Sequence, residues 1–195
     1  MLINFETQSP TERYKLMANS VVPRPIAWVV TEGEVLNIAP FSYFTPLSSA
    51  PATLLISIGL RPDGTPKDTL RNLRETKKCV ICMVGDEHFD AMHLSSKSLE
   101  PHESELDVFD IETETVLEGF PPVPKSIQIA YFCEYLQEVD LKGSRTIPTI
   151  VEIKHLYVND EIISDAETIS FEVDAVARVG RGYVKLGEEM TPPSF

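Results

Sequence analysis

Long hydrophobic runs are missing from this sequence: the most apolar stretches, Ala27 to Val30 and Thr53 to Ile58, fall far short of the about 18 residues a membrane-crossing helix needs, so no span is expected. Met1 to Lys15 lacks the basic start and apolar stretch of a secretory leader, which points to a cytoplasmic protein. Basic charge is also scarce. Seventeen Lys and Arg stand against 30 Asp and Glu, a net charge of −13, and nucleic acid is therefore not an expected partner, because phosphate-backbone binding relies on clustered cations. Three cysteines are too few for a disulfide framework. Cys79 and Cys82 form a C-x-x-C, but in Lys-Lys-Cys-Val-Ile-Cys-Met-Val they lie on a strand pattern, about 10 Å apart on opposite faces. A disulfide spans at most about 7 Å, so both are read as buried hydrophobes, and Cys133 likewise. No metal site is expected either. His88 and His93 lie about 140° apart on a helix, no second ligand pair follows, and with His102 they read as surface histidines.

What is present suits one domain over residues 1–195. The chain is 43% hydrophobic with a mean hydropathy of −0.06, enough to bury roughly 70% of its unfolded surface. Charge is distributed unevenly. Asp86 to Glu118 carries eleven acids and one base, Lys97, within an acidic excursion at about 86–126. Arg61 to Lys78 carries six bases and three acids, the kind of island an acidic protein needs to hold a small anion, although such runs are more often solvated helix faces.

Val21 to Thr31 reads as a strand that begins at a sheet edge, since Pro23 and Pro25 cannot donate ladder hydrogen bonds, and becomes regular from Ile26. A turn at Gly33 leads to a second strand, Leu36 to Phe44, with Ile38, Pro40, Ser42 and Phe44 on one face and Ala39, Phe41 and Tyr43 on the other. Thr53 to Leu60 is a third strand. The turn formers Arg61-Pro-Asp-Gly-Thr-Pro66 follow, then a helix capped by Asp68 or Thr69 and running to about Lys77, with Leu70 and Leu73 facing the core. Lys78 to Val84 is a fourth strand, Glu87 to Leu94 a short helix, and Ile127 to Leu141, Thr149 to Tyr157 and Glu161 to Ser164 are further strands. Many short strands with few helices point to a mainly β, closed or partly closed barrel.

A flavin mononucleotide offers a phosphate dianion, a polar ribityl chain and a flat ring, and the residues between Pro23 and Asn72 supply a candidate for each. The N–H groups of Asp68 to Leu70, the Thr69 hydroxyl and the Lys67 ammonium would take the phosphate at the helix start. Asp68 would turn back as a cap. Ser42 and Asn72 would serve ribityl or phosphate oxygens, and Ala39, Pro40, Tyr43, Phe44 and the Ser57, Ile58 and Gly59 backbone would line the ring. Each residue has a plainer reading: Ser and Asn cap turns, Lys67 is solvated, and a tryptophan such as Trp28 is more often core than a stacking partner.

The ordered motifs Pro23-Arg-Pro-Ile-Ala, Asn37-Ile-Ala-Pro-Phe-Ser-Tyr-Phe, Ser57-Ile-Gly and Lys67-Asp-Thr-Leu-Arg-Asn resemble the flavin reductase-like, FMN-binding split-barrel family, flavoredoxin-like members included. Ser104-Glu-Leu, Pro124 with the Glu134 strand, and Arg178-Val-Gly-Arg-Gly-Tyr183 add weaker matches. The resemblance implies a Greek-key split β-barrel, a homodimer with FMN near the subunit interface, electron transfer from NAD(P)H through FMN, and cofactor contacts that include Arg24, Trp28 and Tyr183. The chain departs from the family's Arg-x-Gly-Gly-x-Tyr at Arg181. It also lacks a G-x-G-x-x-G after a strand, so a nicotinamide would bind transiently over the flavin. No proton donor is assigned. An FMN-dependent oxidoreductase is the first expectation, an FMN electron carrier or flavin store reduced by a protein partner the second, and an enzyme on the same barrel without flavin the third.

Overall fold

Ser9 and Glu12 cap each other reciprocally: the Ser9 hydroxyl accepts from the Glu12 N–H at 3.3 Å and the Glu12 carboxylate accepts from the Ser9 N–H at 2.8 Å. With Pro10 at the first helical position, this box starts α1 (Pro10–Ser20). The next residues enter β1 (Arg24–Pro25), then β2 (Ala27–Thr31) and, through a turn holding Gly33, β3 (Asn37–Phe41). After β4 (Phe44–Ser49) and β5 (Ala52–Gly59), the turn-rich loop leads to α2 (Asp68–Thr76), followed by β6 (Lys78–Met83). The acidic excursion contributes α3 (Phe89–Leu94), α4 (Glu105–Val108) and a small pair, β7 (Thr113–Glu114) with β8 (Val123–Pro124). Two long strands, β9 (Ile129–Glu138) and β10 (Thr146–Val158), and four short ones, β11 (Ile163–Asp165), β12 (Ser170–Phe171), β13 (Val176–Val179) and β14 (Gly182–Lys185), complete the chain. The computed structural model describes residues 1–100, 102–188 and 190.

Seven strands pair antiparallel in the order β3-β2-β6-β9-β10-β5-β4. The two edge strands, β3 and β4, are consecutive in the chain and separated only by Ser42 and Tyr43. So short a link forces the sheet to curl until its edges meet at one end. This is the split-barrel architecture expected from the sequence, reached by a strand break that was not expected: Leu36 to Phe44 is two strands on opposite edges of the sheet. Pro40 and Pro46, which cannot donate to a ladder, fall on those edges, where the missing N–H costs least. The Val21 to Thr31 expectation is corrected too. Arg24 and Pro25 form β1, which does lie at an edge but of a separate sheet in the order β1-β13-β14, while β2 is an interior strand between β3 and β6. Glu161 to Ser164 is a 3-10 turn running into β11, which pairs with β12.

Alternation along β2 divides the core in two. Ala27 and Val29 point inside the half-barrel with Ile56, Ile58, Cys79, Cys133 and the α2 residues Leu70 and Leu73, while Trp28 and Val30 point outward to Cys82, Met92, Leu106, Val123 and Phe132. All five β2 residues are buried. The acidic excursion is therefore not a loose appendage: Met92, Leu106, Val123 and Ile127 lay it over the outer face of the sheet, and of its eleven acids only Glu105 is buried. Cys79 and Cys82 fall in opposite cores as their spacing requires; burial raises the thiol pKa of Cys82, and the hydrogen bond with Cys79, together with burial, raises that of Cys133.

Gly33 lies against α2, and a Cβ there would come within 2.5 Å of Asn72 Oδ1. Asn72 is 2% exposed and cannot swing away freely. Gly33→Ala is expected to cost about 1–3 kcal/mol, as overpacking does. Urea denaturation of the variant checks this, and an unshifted midpoint contradicts it.

Candidate functional site

A cleft of about 590 Å³ opens where the β3 edge meets the start of α2, with Ala39, Pro40, Lys67, Asp68 and Thr69 in its wall. Five residues named from the sequence are thus brought together. The Arg71 N–H donates to Lys67 O as the first bond of α2, so the N–H groups of Asp68, Thr69 and Leu70 have no intrahelical acceptor. Lys67 occupies the N-cap position with no side-chain cap bond, which leaves these donors open to a ligand.

Asp68 does not turn back as a cap. Its carboxylate is paired with Arg61 and, at 2.6 Å, with Arg71. The helix start gains by this, because two guanidinium groups offset the one carboxylate that would repel an anion, and Lys67 adds a third cation. Thr69 is 1% exposed, and its hydroxyl oxygen accepts from Asn37 Nδ2 at 3.0 Å, which leaves its proton free to be donated.

The opposite wall, Ser95 to Leu99, was not singled out from the sequence. It is a hydroxyl-rich turn with one cation, Ser-Ser-Lys-Ser, and only its return across the sheet to face Lys67 gives it meaning. Trp28 explains how it is held. The indole is fully buried in the outer core and donates to Ser95 Oγ at 2.9 Å, which in turn donates to Met92 O at 2.9 Å. Trp28, a cofactor contact by the family resemblance, is thus placed with no exposed surface on the cleft. It lies behind the wall because its neighbours in β2 alternate and the outer face is the one covered by α3. The Ile58 side chain is likewise fully buried in the inner core.

Glu105 also lines this cleft and was likewise missed, since an acid within an acidic run gives no signal of burial. It is 8% exposed, and its carboxylate accepts the Ile38 N–H at 3.2 Å. Desolvation raises its pKa above the usual carboxylate range. The folded chain therefore holds a proton that the unfolded chain releases, and this contribution to stability is lost as pH rises from the unfolded value through the folded one. Glu105→Gln, which keeps an acceptor for Ile38, is expected to gain thermal stability over the parent progressively as pH is raised above that range. Melting curves from acid to neutral pH test this, and a constant offset contradicts it.

The remaining candidates flank the main cleft. Asn72 lines a smaller one of about 310 Å³ on the other side of Asp68, its Oδ1 buried without a partner and its Nδ2 donating to Thr31 Oγ1 at 3.4 Å. Tyr183 and Ser42 lie with Pro40 in a cleft of about 200 Å³. Arg24, Tyr43, Phe44 and Ser57 line a third neighbour of about 400 Å³, reached past Ser42. Gly59 lies beyond the start of β4. Leu60 N–H donates to Arg145 O and Ser57 N–H to Tyr43 O, so strand alternation aims the Gly59 N–H at the same edge as Ser57, where the β4 ladder has ended. A Cβ at Gly59 would meet nothing within 4 Å, so space rather than strain surrounds it.

The histidines are engaged in contacts of their own: His88 Nε2 with Lys125 O at 2.7 Å, His93 Nδ1 with the Tyr183 hydroxyl at 2.9 Å, and His102 with Glu34 at 3.0 Å. The departure at Arg181 is accommodated by a two-residue hairpin between Val179 and Gly182, in which Gly180 has φ +52° and Arg181 is exposed with no positive φ. That geometry needs a glycine only at the first central position.

Comparison with known proteins agrees with this architecture. An uncharacterized protein of Halalkalibacterium halodurans is 33% identical over 196 residues, covering 96% of this chain and 93% of that one. A second uncharacterized relative, YwrF of Bacillus subtilis, is 33% identical over 94% of this chain and 93% of its own. Among solved structures, nitrilotriacetate monooxygenase component B from Bacillus cereus superposes with a TM-score of 0.88 at 26% identity, covering 98% of each chain. The sequence profile of the flavin reductase like domain matches residues 17–171, and with the split barrel and these relatives it establishes that the chain belongs to the flavin reductase-like domain family.

Proposed function

We propose that this chain, acting as one domain over residues 1–195, is an FMN-dependent oxidoreductase that uses NAD(P)H to reduce free flavin or another electron acceptor. The observation that carries the reading is the uncapped start of α2, with Lys67, Arg61 and Arg71 around it, opening into a cleft of about 590 Å³. The donor set fits the group. A phosphate dianion suits three free N–H groups, a hydroxyl and a cation at a helix N-terminus of nine residues. FMN, when bound, supplies the hydride chemistry, and the protein supplies position and electrostatics. Lys67 and Thr69 would hold the phosphate, Ala39 and Pro40 would give apolar cover, and the Gly59 N–H would face the polar edge of the ring. Ser95 to Leu99 would close the far side against water.

A homodimer in the cytoplasm fits the same reading. Tyr14, Met17, Val21, Val22 and Leu47 are exposed apolar or aromatic side chains on α1, the segment after it and the β4 edge, and a second copy would cover them. No helix among the described residues is long and apolar enough to cross a membrane. A second reading, an FMN electron carrier reduced by a protein partner, rests on the exposed acids of the excursion, which would dock a basic reductase.

The test is an absorption spectrum of the purified protein loaded with FMN, followed by NADH and NADPH oxidation with added flavin. Turnover supports the reductase. A flavin spectrum without turnover on either nucleotide leaves the carrier, and a protein that refuses FMN removes both.

A further inference from the structure

Arg24 on β1 and Arg178 on β13 are direct cross-strand partners. Like charges in that position repel, which destabilises the pairing unless an anion offsets them. Neither has a carboxylate partner among the described residues. Arg24 is 5% exposed. Its Nη1 donates to Ala18 O at 2.6 Å and Val21 O at 2.8 Å, while Nε and Nη2 are buried with no partner. Arg178 is half-buried and, among the described residues, uses only Nε, donating to Gly180 O at 3.3 Å, with its guanidinium 4.4 Å from the centre of the Tyr183 ring. Stacking of this kind leaves the edge of the guanidinium available to an oxyanion.

The surroundings favour the same ligand. Arg178 lines the cleft of about 200 Å³ with Tyr14, Ser42, Ser96 and Tyr183, and among the described residues no acid lines either this cleft or the neighbouring one at Arg24, in a protein of net charge −13. Pro40 and Ser96 are common to this cleft and the main one, so a molecule seated on Arg178 would lie beside whatever fills the α2 start.

We infer that the Arg178 cleft is an oxyanion subsite, taking the carboxylate or phosphate of the reactant that exchanges electrons with the flavin. Arg178 makes the contact, the Ser42 hydroxyl donates beside it, and buried Arg24 adds its charge from the neighbouring cleft. The inference rests on the proposed flavin reading for the identity of the neighbour, but the anion site itself is testable without it.

Calorimetric titration of the full chain, with and without FMN, uses benzoate and inorganic phosphate as probes. Either probe is expected to bind, benzoate pointing to an aromatic acid and phosphate alone to a nucleotide. Arg178→Gln is expected to weaken binding about tenfold or more, and Arg178→Lys, which keeps the charge, by less. FMN affinity should be unchanged in both variants, whereas loss of Lys67 and Thr69 should weaken FMN, and inorganic phosphate in the FMN-free protein, and leave benzoate binding untouched. A protein that takes the anion but not FMN would retain this site and lose the flavin reading. Absence of binding by both probes at about 10 mM, or equal binding in Arg178→Gln, overturns the subsite.

Discussion

Replacing Lys67 and Thr69 together by alanine is expected to raise the FMN dissociation constant about 100-fold or more, a loss of about 3 kcal/mol from two hydrogen bonds to a charged group. Lys67 occupies the N-cap of α2 and lines the cleft, so its ammonium is removed without disturbing the core. Thr69 is buried, and its loss also removes the shorter of the two bonds the Asn37 amide donates, at 3.0 Å, leaving the one to Thr31 Oγ1 at 3.4 Å. Some destabilisation of the protein will therefore accompany the binding effect, and a melting curve separates the two. Quenching of FMN fluorescence measures the affinity. Riboflavin, which lacks the phosphate, is the internal control: it should bind the parent and the double variant equally, since neither residue then has a partner. An unchanged FMN affinity in the double variant, or a riboflavin affinity that falls with it, would place the phosphate elsewhere.

Trp28→Ala is expected to destabilise the protein by about 3–5 kcal/mol, the range for truncating a large buried aromatic. A domain of this size has about 5–15 kcal/mol in total, so the loss is a large fraction of its stability. The reasons are local. The indole is fully buried between the outer face of the sheet and the covering excursion, and its N–H satisfies Ser95, which in turn holds Met92 O at the end of α3. Trp28→Phe keeps most of the packing and removes only the donor, so its cost should be about 1–2 kcal/mol with the loosening confined to Ser95 and the turn after it. Urea denaturation reads both. FMN affinity should survive Trp28→Phe, whereas a stacking role would show as a loss of about 1 kcal/mol in binding.

These two predictions divide the sequence reading at its strong and weak points. The basic start of α2 was legible because its signals are local: turn formers at Arg61 to Pro66, a cation, a helix start, and leucines at helical spacing. The helix was placed to within two residues, its N-cap falling on Lys67 rather than on Asp68 or Thr69, and the side chains that meet at its mouth lie within a few positions of one another. The role of Asp68 was misread because capping is the local default for that residue type, while Arg61 lies seven residues back across a loop and Arg71 one turn ahead. Helix α1 was overlooked although Ser9 and Glu12 carry the capping-box spacing, a signal that was available. Trp28 could not have been assigned from its strand: an alternating run of fully buried residues has two inner faces, and nothing in Ala-Trp-Val-Val-Thr says which face meets a ligand and which meets α3.

By itself the sequence determined the strand-rich class, the two-faced cysteine pattern, the basic helix start in an acidic protein and the family likeness, because periodicity, turn chemistry and charge act over a few residues. Tertiary structure alone decided that Ser42 and Tyr43 break one strand into the two edges of a curled sheet, that Ser95 to Leu99 returns to face Lys67, that Glu105 is buried among exposed acids, and that Arg24 lies opposite Arg178. Each of these depends on register and closure between segments far apart in the chain, where pairing of backbone groups and burial of both sheet faces, rather than any local preference, selects the partner.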